Sequence, residues 1–431
     1  MKTPIVDFVR KYSQSDISRL HMPGHKGVEF IGCENFDITE INGADALYAA
    51  DGIIAESENN ATELFGSLHT FYSAGGSSQC IKAMLALAKG SKKDFTVLAA
   101  RNVHKSFVYG CALLNIRVNW LTDSENFSLC RCNVTPDVLE AELIKQKADA
   151  VYITSPDYLG NMNDIRALSD VAHKFGALML VDNAHGAYLH FLSEKRHPVD
   201  CGADMCCDSA HKTLPVLTGG AYLHINNSKF IASARGALEM FGSTSPSYLI
   251  LQSLDMCNSY LSSLYREKLA QCVERVAALR SNLNKNGWVT INSDPIKLTI
   301  CSHGVNLSDI LRKNGFECEY EDPDFTVMMF TPETPDFVYA KLSDVLGVNN
   351  NVNIPPQLSF THPEKVMEIR DALFSDSESV DVENAVGRIV ADTTVGCPPA
   401  VPVLVSGEVV TENAVKIMKH YGINTIKVIS V

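Results

Sequence analysis

The chain has no stretch long and apolar enough to cross a bilayer. Its longest apolar run lies near residues 175–181, whereas a spanning helix needs about 20 residues. The N-terminus, Met1-Lys2-Thr3-Pro4-Ile5-Val6-Asp7-Phe8, is interrupted early by charge and no apolar core follows it, so no secretory signal is expected. A basic block is missing too. With 37 Lys and Arg against 50 Asp and Glu, the net charge of −13 argues against nucleic acid as a partner. The thirteen cysteines include the neighbours Cys206 and Cys207 and the close pair Cys130 and Cys132, but no CxxC and no Cys/His spacing of the structural-zinc type. No metal is therefore expected, and free thiols in a reducing cytoplasm are. Internal repeats and low-complexity tracts are also absent. What remains is ordinary for a globular protein: 46% hydrophobic and 20% charged residues over 431 positions, enough for a large core and two or three domains.

Residues 1–50 read as a polar arm containing the turn-rich His21-Met22-Pro23-Gly24-His25-Lys26-Gly27. An α/β rhythm follows. Helical spacing is expected over 77–89, 104–114, 136–146 and 165–175, and short buried strands over 96–100, 116–121, 150–154, 178–182, 205–209 and 221–225. Strands alternating with helices imply βαβ crossovers and a mostly parallel sheet, whose ligands sit outside the carboxyl ends of the strands. One long helical stretch is expected over 247–283. Beyond it the pattern changes to strands over 288–291, 297–301 and 326–330 and helices over 305–313, 336–346 and 363–374. The acidic, Ser-rich 376–381 reads as an exposed loop, and a helix over 411–420 and a strand over 425–429 close the chain. The expected domains are an arm (1–50), a large domain (51–285) and a small α+β domain (286–431).

The chemistry concentrates at strand ends. Asp208-Ser209-Ala210-His211-Lys212-Thr213-Leu214 places one lysine between an apolar run and the uncharged 214–223. Partial desolvation disfavours an ammonium and leaves a nucleophilic amine suited to a Schiff base. Upstream, Leu178-Met179-Leu180-Val181 ends in Asp182-Asn183-Ala184-His185-Gly186. A strand-end acid followed by a Ser-x-His-Lys turn is what a pyridoxal 5'-phosphate (PLP) site requires. Lys212 would hold the aldehyde, Asp182 would keep the ring nitrogen protonated, and the Ser209 hydroxyl would reach the phosphate. Gly75, Gly76 and Ser77 precede a helix whose N-terminal amides and dipole favour phosphate. His104 follows a strand and is a candidate to stack on the pyridine ring, while His185 and His211 are candidates for binding and proton transfer.

Together these motifs resemble the Orn/Lys/Arg decarboxylase family of fold-type-I PLP enzymes, from about Leu20 to the C-terminus. His21-Met22-Pro23-Gly24-His25-Lys26 resembles the family's N-terminal signature. Ala61-Thr62-Glu63-Leu64-Phe65-Gly66 resembles the lead into the phosphate cup, and 101–106 the ring-stacking segment. Asp182 to Gly186 resembles the pyridinium-acid motif and Ser209 to Lys212 the Schiff-base motif. Ser243-Thr244-Ser245-Pro246-Ser247-Tyr248 resembles a segment near the cofactor, which in dimers often comes from the partner subunit. A regulatory-type N-terminal domain like that of the larger members is not expected. The chain also departs from the family over 387–399, with Asp392 where a glutamate is usual and Val395-Gly396-Cys397 in place of an aromatic, proline-rich run.

The resemblance implies an α/β fold of the aspartate-aminotransferase-like PLP type I, with a mostly parallel sheet in the large domain and a smaller C-terminal α+β domain. It implies a homodimer or higher oligomer with shared active sites, a part in polyamine biosynthesis, and decarboxylation of arginine, lysine or ornithine. His211 or Lys212 would return the proton to the product. Asp392 and Glu408 are candidate carboxylates for the substrate's cationic side chain. Two alternatives stay open. One is another PLP reaction, an aminotransferase or lyase, with Arg370 or Arg388 available for an α-carboxylate. The other is a non-catalytic PLP-binding scaffold.

Overall fold

The computed structural model describes residues 1–121, 128–291, 293–351, 363–393 and 399–430. Along the chain the strands are β1 (His69–Ser73), β2 (Thr96–Ala100), β3 (Arg117–Leu121), β4 (Ala150–Thr154), β5 (Leu178–Asp182), β6 (Met205–Asp208) and β7 (Ala221–Ile225). Beyond them come β8 (Thr290–Ile291), β9 (Lys297–Cys301), β10 (Tyr320–Glu321), β11 (Phe325–Met329), β12 (Ser377–Asp381), β13 (Val390–Asp392) and β14 (Thr425–Ile429). The chain divides into two compact units, one made of Met1–Ser91 with Leu178–Lys268 and the other of Lys92–Ala177 with Leu269–Val431. This division cuts through the α/β region rather than falling near residues 50 and 285.

In the first unit, β5 and β6 run parallel with Asp182 opposite Cys207, and β7 is antiparallel to both β6 and β1. Every residue of β6 and β7 is buried, which explains why both are mostly apolar, Asp208 and His224 excepted. The helix Gly76–Lys89 follows β1 after the turn at Ala74-Gly75 and stops at Gly90. Gly76 has φ +70°, a conformation glycine adopts without steric cost.

The N-terminal arm is not uniformly polar coil. Pro4–Ser13 is a helix burying Ile5, Val6 and Val9. Proline suits a first helical turn, and the remaining orphan amides of Ile5 and Val6 donate to Asp255 Oδ2 at 2.9 and 3.0 Å. That acceptor lies some 250 residues along the chain, beyond the reach of local pattern reading. The expected single helix over 247–283 is two, Tyr248–Leu261 and Tyr265–Lys285. At the break, Ser262 and Ser263 hydroxyls donate to the carbonyls of Ser259 and Tyr260, a local bonding that competes with helix.

The second unit holds β2 between β3 and β4, all parallel. It also holds an antiparallel sheet ordered β10-β11-β9-β8 and another ordered β12-β14-β13. The acidic 376–381, expected as a loop, is instead edge strand β12, paired along its length with β14. Its side chains are almost all exposed, and charged residues are a usual guard on a sheet edge. The helix expected over 363–374 is confined to Ile369–Leu373. The residues before it pair instead with Gly407 and Glu408 through backbone bonds. Among the described residues, no helix is long and apolar enough to cross a membrane.

Candidate active site

The turns leaving β5 and β6 carry most of the predicted site. Parallel pairing places both at the same sheet edge. Lys212 Nζ lies 3.0 Å from His185 Nε2, so one turn's amine meets the other turn's imidazole. Asp182 is 2% exposed and His185 5%, while Lys212 and His211 are half-buried. Asp182 Oδ1 accepts the Ala184 amide at 3.2 Å and faces the Cys207 thiol at 3.8 Å. Burial, and then the nearby Asp182 charge, push that thiol well above its ordinary pKa, so it stays protonated and donates. His211 Nδ1 lies 3.0 Å from the Gly220 carbonyl. A carbonyl only accepts, so Nδ1 carries the hydrogen and, in the neutral ring, Nε2 carries the lone pair.

The predicted phosphate cup meets the lysine turn through a hydrogen bond. Ser209 Oγ donates to Ser77 Oγ at 2.7 Å, which joins the lysine turn to the first turn of the helix Gly76–Lys89. The two glycines have other tasks than donating to an anion. Gly76 N bonds the Gly219 carbonyl at 2.8 Å. Gly75 N bonds Ser73 Oγ and Gln79 Oε1, both at 3.1 Å. An anion here would therefore meet Ser77, Ser209 and the amides beyond Gly76. Sequence reading passed over Gln79, a buried polar residue on the helix's first turn. Its Oε1 accepts from Ser73 Oγ at 2.6 Å, and its amide donates to Tyr48 Oη and the Leu238 carbonyl at 2.9 and 2.7 Å, fixing the loop.

Thr244 is exposed on the loop after Gly242. His104, in the second unit, is the N-cap of the helix Lys105–Leu114, its Nδ1 accepting the Ser106 amide at 3.1 Å. Glu408 is not an open substrate carboxylate. It is 2% exposed, pairs with Arg101 at 3.0 Å and accepts the Val405 amide at 2.7 Å. Burial raises its pKa, and Arg101 partly offsets that. Asp392 is partly exposed, accepts from Tyr109 Oη at 3.3 Å and faces Lys427 at 3.7 Å. Residues 394–398 of the altered family segment lie outside the described residues. Both arginines proposed for an α-carboxylate are engaged. Arg370 donates to the carbonyls of Ala112 and Leu113, and Arg388 donates to Glu378 and the Ile429 carbonyl.

An amine, a buried carboxylate, two touching hydroxyls and a helix N-terminus form the donor set a PLP cofactor needs, so the residues fit the group. The family comparison agrees in kind. Residues 3–299 match the Orn/Lys/Arg decarboxylase major domain, and 358–424 match that family's C-terminal domain. The chain belongs to the Orn/Lys/Arg decarboxylase family. It is an amino-acid decarboxylase, which removes the scaffold alternative. The arginine decarboxylase of Bacillus subtilis (strain 168) is 27% identical over 95% of this chain and 92% of its own length. Lysine decarboxylase A from Pseudomonas aeruginosa superposes with TM-score 0.84 at 17% identity, over 99% of this chain and 80% of that one. The constitutive lysine decarboxylase of Escherichia coli gives 0.80 at 17%, over 100% and 82%. These structures show the fold: PLP fold type I, with a large, mostly parallel sheet and a smaller C-terminal domain of antiparallel sheet.

Proposed function

We propose that this decarboxylase removes the α-carboxyl group of a basic amino acid, arginine, lysine or ornithine, with PLP held by Lys212. The observation that carries the reading is the 3.0 Å approach of Lys212 Nζ to His185 Nε2, at the sheet edge where Asp182 ends its strand. Bound there, PLP supplies an aldehyde for the amine and an electron-withdrawing ring for the negative charge left when carbon dioxide departs. The other roles belong to the chain. His185 holds the Lys212 amine and exchanges a proton with it. Asp182, fixed by the Ala184 amide and the Cys207 thiol, holds the ring-nitrogen proton. Ser77 and Ser209 hold the phosphate. His211, anchored through Nδ1, presents the other ring nitrogen as a proton carrier. A ring-stacking role for His104 rests on the family resemblance alone.

Incubation with PLP and a mixture of amino acids, read by mass spectrometry, tests this. The expected result is agmatine, cadaverine or putrescine with an equal amount of carbon dioxide. A keto acid and no amine would overturn it.

We further propose a homodimer in the cytoplasm. Ile17, Leu20, Met22, Val28, Phe30 and Ile31 are exposed on the arm, a density of apolar surface that marks a contact face. Thr244 would then meet the partner's cofactor. Among the described residues all twelve cysteines are free thiols, which suits a reducing compartment. Light scattering should give twice the chain mass, and a monomer at micromolar concentration would reject the dimer.

A further inference from the structure

Asp208 is a buried carboxylate next to the lysine turn that the proposed reaction does not use. It is fully buried at the end of β6. Three donors converge on it: Asn183 Nδ2 at 2.6 Å on Oδ1, and His197 Nε2 at 3.0 Å and His224 Nε2 at 3.1 Å on Oδ2. Among the described residues, these two histidines and the aspartate are the group with metal-ligand spacing. The hydrogen bonds argue for protons rather than a metal. The Val199 amide donates to His197 Nδ1 at 3.3 Å. A backbone amide cannot accept, so Nδ1 keeps its lone pair and Nε2 carries the hydrogen. A metal on Nε2 would require the reverse, with Nδ1 donating. His224 Nδ1 meets Thr70 Oγ1 at 2.8 Å, and that hydroxyl contacts Ser67 Oγ at 2.8 Å, which continues the network to β1.

The position of this carboxylate gives it a task. The last backbone rung seen between the two strand ends is Asn183 N to the Cys207 carbonyl at 3.0 Å. Immediately beyond it, Asn183 and Asp208 join through side chains. Asn183 follows Asp182 and opens the turn that carries His185. Asp208 precedes Ser209 and opens the turn that carries Lys212. We propose that Asp208, clamped by His197 and His224, is a positioning residue that ties these two turns together through Asn183 and so sets Lys212 against His185. This rests on Lys212 being the cofactor lysine. Burial alone would raise the Asp208 pKa, but His197 and His224 bring it below the ordinary carboxylate range, so the clamp works with an ionised acceptor. Burial lowers the pKa of His224, and the Asp208 charge opposes that.

The discriminating variants are Asp208→Asn and Asn183→Ala. An amide at 208 offers one acceptor oxygen and turns an N–H toward a donor. His224 can adapt, because the Thr70 hydroxyl can donate to or accept from it, but His197 is held by Val199. Two readouts are used. In the apo-protein, a short pulse of acetic anhydride followed by peptide mass spectrometry gives the acetylation rate of Lys212 relative to the exposed Lys195 and Lys229. In the loaded enzyme, the visible circular dichroism of bound PLP and the split between kcat and KM are recorded.

We expect the relative Lys212 rate to change about threefold or more, the dichroic band to weaken, and kcat to fall about tenfold or more with KM within about twofold, since small misplacements at a reacting centre are costly. A variant with wild-type labelling, dichroism and kcat and only a lower unfolding midpoint overturns the proposal. If Asp208→Asn does not fold, Asn183→Ala, which cuts the same tie and leaves the histidine clamp, decides it. Failure of the underlying reading looks different: the Lys212→Ala variant keeps the visible band of the wild-type protein.

Discussion

Removing the Glu408 carboxylate should damage stability and spare substrate binding. Arg101 beneath it is nearly as buried and donates to three acceptors: Glu408, the Pro402 carbonyl at 3.2 Å and the Val403 carbonyl at 3.1 Å. Its guanidinium also lies 4.9 Å from the centre of the Trp120 ring. Glu408→Ala leaves that cation with neutral acceptors only and leaves the Val405 amide unbonded. Stranding one member of a buried pair costs about 3–5 kcal/mol. At a urea slope of about 3 kcal/mol per molar, the midpoint falls by about 1–1.7 M. Glu408→Gln keeps an oxygen for Arg101 and Val405, so it costs about 1 kcal/mol. Urea titration followed by tryptophan fluorescence measures both variants, and steady-state kinetics with the preferred amino acid should give KM within about twofold of wild type. A Glu408→Ala enzyme with wild-type stability and a KM raised tenfold would refute the reasoning and return Glu408 to the substrate pocket.

Three further outcomes follow from the geometry. Ser77→Ala and Ser209→Ala should each weaken PLP about fivefold, roughly 1 kcal/mol for a lost hydroxyl contact, read by titration of the visible band; unchanged affinity in both would dismiss the cup. Gly186→Ala would drive a methyl group into Asn183 Oδ1 and Leu189 Cδ1; overpacking costs about 1–3 kcal/mol, and calorimetry should show the loss together with weaker PLP binding. Asp255, which tethers the N-terminal helix, has its pKa raised to about 6, chiefly by burial. The fold therefore favours its protonated form, so the stability that Asp255 contributes should be fully present near pH 4 and be lost as pH rises through about 6, where burial of the charge loosens the docking of the helix. Limited proteolysis of residues 1–13 should be faster at pH 8 than at pH 5, and Asp255→Asn should flatten that difference.

Most of the strands that can be read from sequence are buried on both faces, although the partly exposed β3 and β14 are legible too. Thr96–Ala100, Ala150–Thr154, Leu178–Asp182, Ala221–Ile225 and Lys297–Cys301 lie where their mostly apolar, β-branched-rich runs put them. β1 is hard to read as a strand, because His69 and Thr70 break its apolar pattern, and Thr70 finds its partner, His224, only in the folded sheet. β12 was hidden by its charge, since an edge strand need bury almost nothing. Asp182, His185, Ser209 and Lys212 were legible because strand-end position and residue type coincide within short motifs. The pairing of Lys212 with His185 could be expected from that. The Asp208 clamp could not, because its partners come from β7, from the turn after β5 and from the loop before β6, and only the folded sheet gathers them. Likewise Arg101 reaches Glu408 across some 300 residues, which is why Glu408 looked available for substrate.

Borohydride reduction of the PLP-loaded protein, followed by peptide mass spectrometry, examines the site most directly. The account predicts one pyridoxyl group, on Lys212 in the peptide that contains Ser209, and no label after Lys212→Ala. A pyridoxyl group on another lysine, or none at all on a protein that still decarboxylates, would contradict it.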